Sequence, residues 1–86
     1  MITIPELLNT FAKQTDYIRS RKANVVSPYF FELKVDDFNA NHLRSFLMKR
    51  LNEGIKPATV VKEFQVLKAS LKLGGFKTKV FKKVPI

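Results

Sequence analysis

Between Pro57 and the Gly74-Gly75 pair, the chain places Val60, Phe64, Leu67 and Leu71 at helical spacing. At about 100° per residue these four fall within about 60° of one another. Pro57 suits a first helical turn, and the glycine pair suits a helix end. A helix with one such stripe must bury it, and in 86 residues the covering partners come from the same short chain.

The rest of the chain offers helical partners. Ile4, Leu7, Leu8, Phe11, Thr15 and Ile18 share one face of a helix expected from Pro5 to about Arg21, with Thr3 as cap and Glu6 three residues on. Ser27-Pro28 can start a short helix to about Leu33, although Val25-Val26 and Tyr29-Phe30-Phe31 are also good strand formers. Phe30, Phe31 and Leu33 are expected in the core either way. Asn39 is a good cap for a third helix, from Ala40 to Glu53, with Phe38 and Leu43 as its staple. Its buried stripe is Leu43, Phe46, Leu47 and Leu51. Arg50 lies beside that stripe and is expected to lay its stem along it and reach for water. The expected fold is all-α, a small four-helix orthogonal bundle whose second helix is short, over residues 1–75. Residues 76–86 read as a basic tail, an extended linker, an edge strand or a partly disordered segment.

Several function classes drop out. The chain has no Cys and one His, so thiolate and multi-histidine metal sites are excluded, and no metal or cofactor is expected. No apolar run approaches the ~20 residues of a membrane span. The first residues lack the basic and apolar regions of a signal peptide, so a cytoplasmic location is expected.

Charge points the other way, towards a partner. The net charge is +9, and residues 56–86 hold eight Lys against one acid, Glu63. A concentrated positive field gathers polyanions. Opposite the core stripe of the last helix lie Lys62, Gln65, Ala69 and Lys72, with Lys68 on the flank. Lysines at the edges of this face can reach phosphates, Gln65 can pair with a base edge, and small Ala69 lets the helix axis come close. Lys56 and Thr59 sit near the helix N-terminus, whose free N–H groups favour a phosphate. Lys77 and Lys79 extend the basic surface into the tail. Arg21, Lys22 and Asn24 are further candidates, from the basic stretch after the first helix. A plain solvated helix face accounts for the same charge pattern about as well.

Gly54-Ile55-Lys56-Pro57-Ala58-Thr59-Val60 resembles the turn that reads Gly-Leu-Ser-Pro-Ala-Thr-Val in phage-type integrases, the tyrosine recombinases. Val35-Asp36-Asp37-Phe38 and the residues to Leu47 resemble the entry into the third helix of their core-binding domain. The likeness covers residues 35–73. Lys56 departs from the usual Ser or Thr and removes a side-chain cap. The segment between the first and third helices is also shorter and more apolar than in many members. The resemblance implies a SAM-like domain that clamps double-stranded DNA together with a catalytic domain of the same full-length chain. The tail would be the linker to that domain. It implies a monomer when isolated, an oligomer on DNA in the full-length protein, and a nucleoid-associated location. This chain alone is not expected to be an enzyme. Tyr17 and Tyr29 have no paired Arg-His constellation nearby in sequence, and His42 suits a helix cap.

Two alternatives stay open. A free-standing helix-turn-helix or RNA-binding protein would be expected to dimerise if it reads a palindrome. A protein-interaction module would use Phe76, Phe81, Val66 and Leu73 as a docking surface.

Overall fold

Thr15 and Asp16 both take extended backbone angles, and the Asp16 carboxylate accepts the N–H of Arg19 at 2.9 Å. That cap starts a new helix. The single helix expected from Pro5 to Arg21 is therefore two in the computed structural model, which describes residues 2–86. Helix α1 spans Ile4–Gln14 and α2 spans Tyr17–Val26. The break turns Ile18 out of the core, to 70% exposure, while Ala23 and Val26 become the buried contacts of α2.

The short helix expected from Ser27 to Leu33 is a single 3-10 turn, Ser27–Phe30, running straight on from α2. Ser27 makes no side-chain cap there. Phe30 is buried and Leu33 half-buried, but Phe31 is 78% exposed, against expectation. Glu32 follows it at φ 56°, a left-handed turn that sends the chain back. The returning segment is pinned to the start of the chain. Ile4 N–H donates to the Leu33 carbonyl at 2.8 Å, and Val35 N–H donates to that of Ile2 at 3.0 Å. These bonds flank an isolated bridge between Thr3 and Lys34, and no strand forms among the described residues.

After a second 3-10 turn, Val35–Asp37, helix α3 spans Ala40–Asn52. Asn39 and His42 form a reciprocal capping box: the Asn39 side chain accepts at the helix start, and His42 Nδ1 accepts the Asn39 N–H at 3.1 Å. At the far end Gly54, at φ +85°, lets Ile55 N–H reach back to the Arg50 carbonyl at 3.0 Å, a Schellman turn. Leu51, expected in the buried stripe, sits at the surface.

Helix α4 spans Pro57–Leu73, as its sequence punctuation predicts. It is the central element. Its core face is Val60, Phe64, Leu67 and Leu71, widened by Val66, Glu63 and Ser70. Val66, expected on the surface, is buried because α1 and α2 cover a second side of α4. Ser70 is satisfied by its own helix, Oγ donating to the Val66 carbonyl at 2.9 Å. The four-helix, all-α expectation holds, with different boundaries in the first half.

The tail is the largest departure from an extended linker. Residues Lys79–Lys83 form a 3-10 turn, and Val84 is 4% exposed. The Phe81 ring lies 6.3 Å from Phe38 and 6.0 Å from Phe64, between α3's entry and α4. Apolar burial folds these residues back onto the bundle.

Candidate nucleic-acid interface

Because the chain breaks at Thr15 and Asp16, α2 runs beside α4 as a separate element. A cavity of about 340 Å³ opens between them and α1. Phe11, Ile18, Val66 and Ala69 supply its apolar lining, and Arg19, Lys22, Lys62 and Gln65 its polar lining. A neighbouring depression includes Tyr17, Arg21, Lys22, Val25 and Thr59, and the paired Arg50 and Glu63 also line it. Arg21 lies over the exposed Tyr17 ring, 5.7 Å from its centroid.

The fold thus gathers some of the expected contact residues and scatters others. Lys62, Gln65 and Ala69 share one cavity with Lys22, and Thr59 shares the adjacent depression with Arg21 and Lys22. Lys68 instead lines an apolar crevice on the tail side, with Phe81, Val84 and Ile86, and Gln65 lines both this crevice and the cavity. Lys56, Lys72, Lys77, Lys79 and Asn24 are exposed and line none of these cavities. Lys56 makes no side-chain cap at the start of α4. Arg19 is a cavity residue that sequence reasoning missed. The available signal was Asp16, a capping residue three positions earlier.

The docking surface imagined around Phe76, Phe81, Val66 and Leu73 does not form as one. Val66 is buried, Phe76 and Phe81 are half-buried against the core, and only Leu73 is well exposed.

The electrostatics of this face depend on an internal pair. Arg50, 9% exposed, grips Glu63, 2% exposed, through Nε to Oε1 at 2.9 Å and a second guanidinium nitrogen to Oε2 at 2.6 Å. Arg50 was expected to reach for water. It turns inward because Glu63 offers a carboxylate that can accept both bonds. The third guanidinium nitrogen donates to the Tyr29 hydroxyl at 3.0 Å and to Glu53 at 3.3 Å. Tyr29 donates in turn to Glu53 at 2.5 Å. Among the described residues no buried side-chain polar atom lacks a partner.

These bonds set the protonation states. The hydrogen bond to Glu63 raises the Arg50 pKa further, so the guanidinium stays charged. The Tyr29 hydroxyl holds the Glu53 carboxyl below its ordinary value of 4.5, with Arg50 assisting. The same bond to Glu53, with burial, holds the Tyr29 hydroxyl above 10.0.

Glu63 is the one acid in residues 56–86, and Arg50 neutralises it inside the fold. Among the described residues the other ion pairs are Arg19 with Asp16 and Arg50 with Glu53, so no lysine has a carboxylate partner. The surface of α4 and the tail is left with lysines alone. Such a surface can hold a run of phosphates, with the Gln65 amide available for a base edge.

No group of His, Asp and Glu side chains suited to a metal occurs among the described residues, and none of their helices is long and apolar enough to cross a membrane. No family model, curated protein or solved structure matches the chain.

Proposed function

We propose that this chain binds double-stranded DNA through the α2–α4 face, as the core-binding domain of an integrase-type recombinase. The observation that carries the reading is the burial of Glu63 against Arg50, which leaves the outer side of α4 with no negative charge. Lys62 and Lys22 then line one cavity from α4 and α2 together with Gln65, while Lys77 and Lys79 add charge from the tail. The integrase assignment rests on the Gly54-to-Val60 turn and the Val35-to-Leu47 entry. On that assignment the catalytic domain of the full-length chain supplies the chemistry, and the oligomer forms on DNA near the nucleoid.

A helix-turn-helix reading uses α3, the Gly54 turn and α4. Its recognition helix must stand clear of the body of the domain. Here α4 is covered by α1 and α2 and meets α3 mainly through Phe46–Phe64 and Arg50–Glu63, which favours the first reading.

Fluorescence anisotropy with a generic duplex tests the proposal. If five to seven phosphates are neutralised, log K falls against log salt with a slope of roughly −4.5 to −6. Absence of binding at ~50 mM salt overturns it. A sedimentation mass of one chain is expected; a dimer favours the helix-turn-helix alternative.

A further inference from the structure

The cavity between α1, α2 and α4 has a shape that a smooth duplex does not fill. B-form DNA presents phosphates and groove edges, and its base faces are stacked away from a partner. Here the cationic positions Arg19, Lys22 and Lys62 accompany apolar surface from Phe11, Ile18, Val66 and Ala69. A phosphate gains nothing from that apolar part. The flat face of an unstacked base does.

We infer that this cavity takes a single unpaired nucleobase, with the phosphates on either side of it held by Lys22 and Lys62. The volume of about 340 Å³ lies at the small end of the range for ligand pockets, and suits one base rather than a base pair. Gln65 lines the same cavity and carries both a donor and an acceptor, which can match the hydrogen-bonding edge of a base removed from its partner. Ala69 lines the cavity with the smallest of its side chains, so a larger residue at that position is expected to take up part of its volume. Lys22 on α2 and Lys62 on α4 come from different elements, so a strand entering and leaving the cavity meets one cation from each side. The preference is for a bulged or single-stranded nucleotide over perfect duplex. It rests on the nucleic-acid reading of this face and adds the structure of the nucleic acid recognised.

The probes are three DNAs of equal length: a perfect duplex, the same duplex with one bulged 2-aminopurine, and a single strand carrying 2-aminopurine at its centre. The bulged duplex is expected to bind at least about fivefold tighter than the perfect one, with a change in 2-aminopurine emission. Ala69→Leu is expected to bring the ratio of the two affinities to one and to abolish the emission change. Gln65→Ala, at an exposed position, is expected to reduce the ratio and serves if Ala69→Leu fails to fold. Equal affinity for bulged and perfect duplex, with silent emission, overturns the inference and leaves duplex binding standing. A preference that survives both substitutions also overturns it. No binding of any of the three DNAs at low salt overturns this inference and the reading beneath it together.

Discussion

Arg50 on α3 and Glu63 on α4 meet inside the bundle as a two-pronged ion pair, at 2.9 and 2.6 Å. Removing Arg50 strands Glu63 as an unpaired buried charge, and removing Glu63 leaves the buried guanidinium with only the Tyr29 hydroxyl and the exposed Glu53 carboxylate as partners. Glu63→Ala and Arg50→Ala are each expected to cost about 3–5 kcal/mol in urea unfolding. That is a large share of the ~5–15 kcal/mol that holds a domain of this kind together. The paired change Arg50→Met with Glu63→Leu is expected to be near neutral or stabilising, because both desolvation penalties vanish at once. The same double variant also keeps α4 free of an exposed acid. Its DNA affinity is therefore expected to stay close to that of the parent. If the double variant is as unstable as the single ones, the pair contributes more than compensation for its own burial.

The Tyr29–Glu53 bond gives stability a pH dependence at both ends. Glu53 is depressed below 4.5, first by the Tyr29 hydroxyl, so it stabilises above its unfolded pKa, and that contribution is lost as pH falls through the folded value. Tyr29 is raised above 10.0, first by Glu53, so its contribution is complete below 10 and is lost as pH rises through the folded value. Tyr29→Phe removes the shared proton. Thermal melts between pH 3 and 11 are expected to show a shallower decline at both extremes for Tyr29→Phe than for the parent. Identical pH profiles for the two proteins would show that the bond has no influence on stability.

How far the sequence is legible depends on whether a signal is local. Pro57, Gly54 and Gly74-Gly75 are local punctuation, and they place α4 correctly and the end of α3 to within a residue. Asn39 and His42 also act within one turn. The Thr15–Asp16 break is local too, but the apolar spacing through Ile18 outweighs it when periodicity alone is followed. Phe31 and Leu51 have core-like chemistry and end at the surface because a tight turn and a helix edge point them outward. The Arg50–Glu63 pair has no local signal, since it joins positions 13 apart on different helices. The cavity has none either, because α2 reaches α4 only once the first helix has broken. Lys22, a lesser candidate by charge alone, becomes central through that break, while Lys68 is turned to the tail side by its angle on α4.

Two glycines separate backbone strain from crowding. Gly54 has φ +85° with nothing within 4 Å of an added Cβ, so Gly54→Ala is expected to cost about 1–2 kcal/mol from conformation alone. Gly74 has ordinary φ −81°, but a Cβ there meets Leu7 Cδ2 at 2.7 Å and the Phe76 ring at 2.9 Å. Gly74→Ala is expected to cost about 1–3 kcal/mol through overpacking. Adding Leu7→Ala to Gly74→Ala is expected to recover part of that crowding cost, visible as a coupling term in a double-mutant cycle. Leu7→Ala has no such effect on Gly54→Ala. Chemical denaturation of the parent and these five variants decides it, and a Gly54 cost relieved by Leu7→Ala would refute the distinction.

The folded-back tail makes a claim about stability that an extended linker does not. Phe81 packs edge-on to Phe64 with an interplanar angle of 72°, and Val84 is buried behind it. Phe81 is only half-buried, so Phe81→Ala is expected to fall below the ~3–5 kcal/mol of a full core site, at about 2 kcal/mol. Lys77→Gln with Lys79→Gln touches no such packing and is expected to leave the unfolding midpoint unchanged. If these lysines each hold a phosphate, the double variant flattens the salt slope of DNA binding by about 2. A stable Phe81→Ala protein would mean that the tail does not hold to the bundle in solution. An unchanged salt slope in the lysine variant would confine DNA contact to the α2–α4 face.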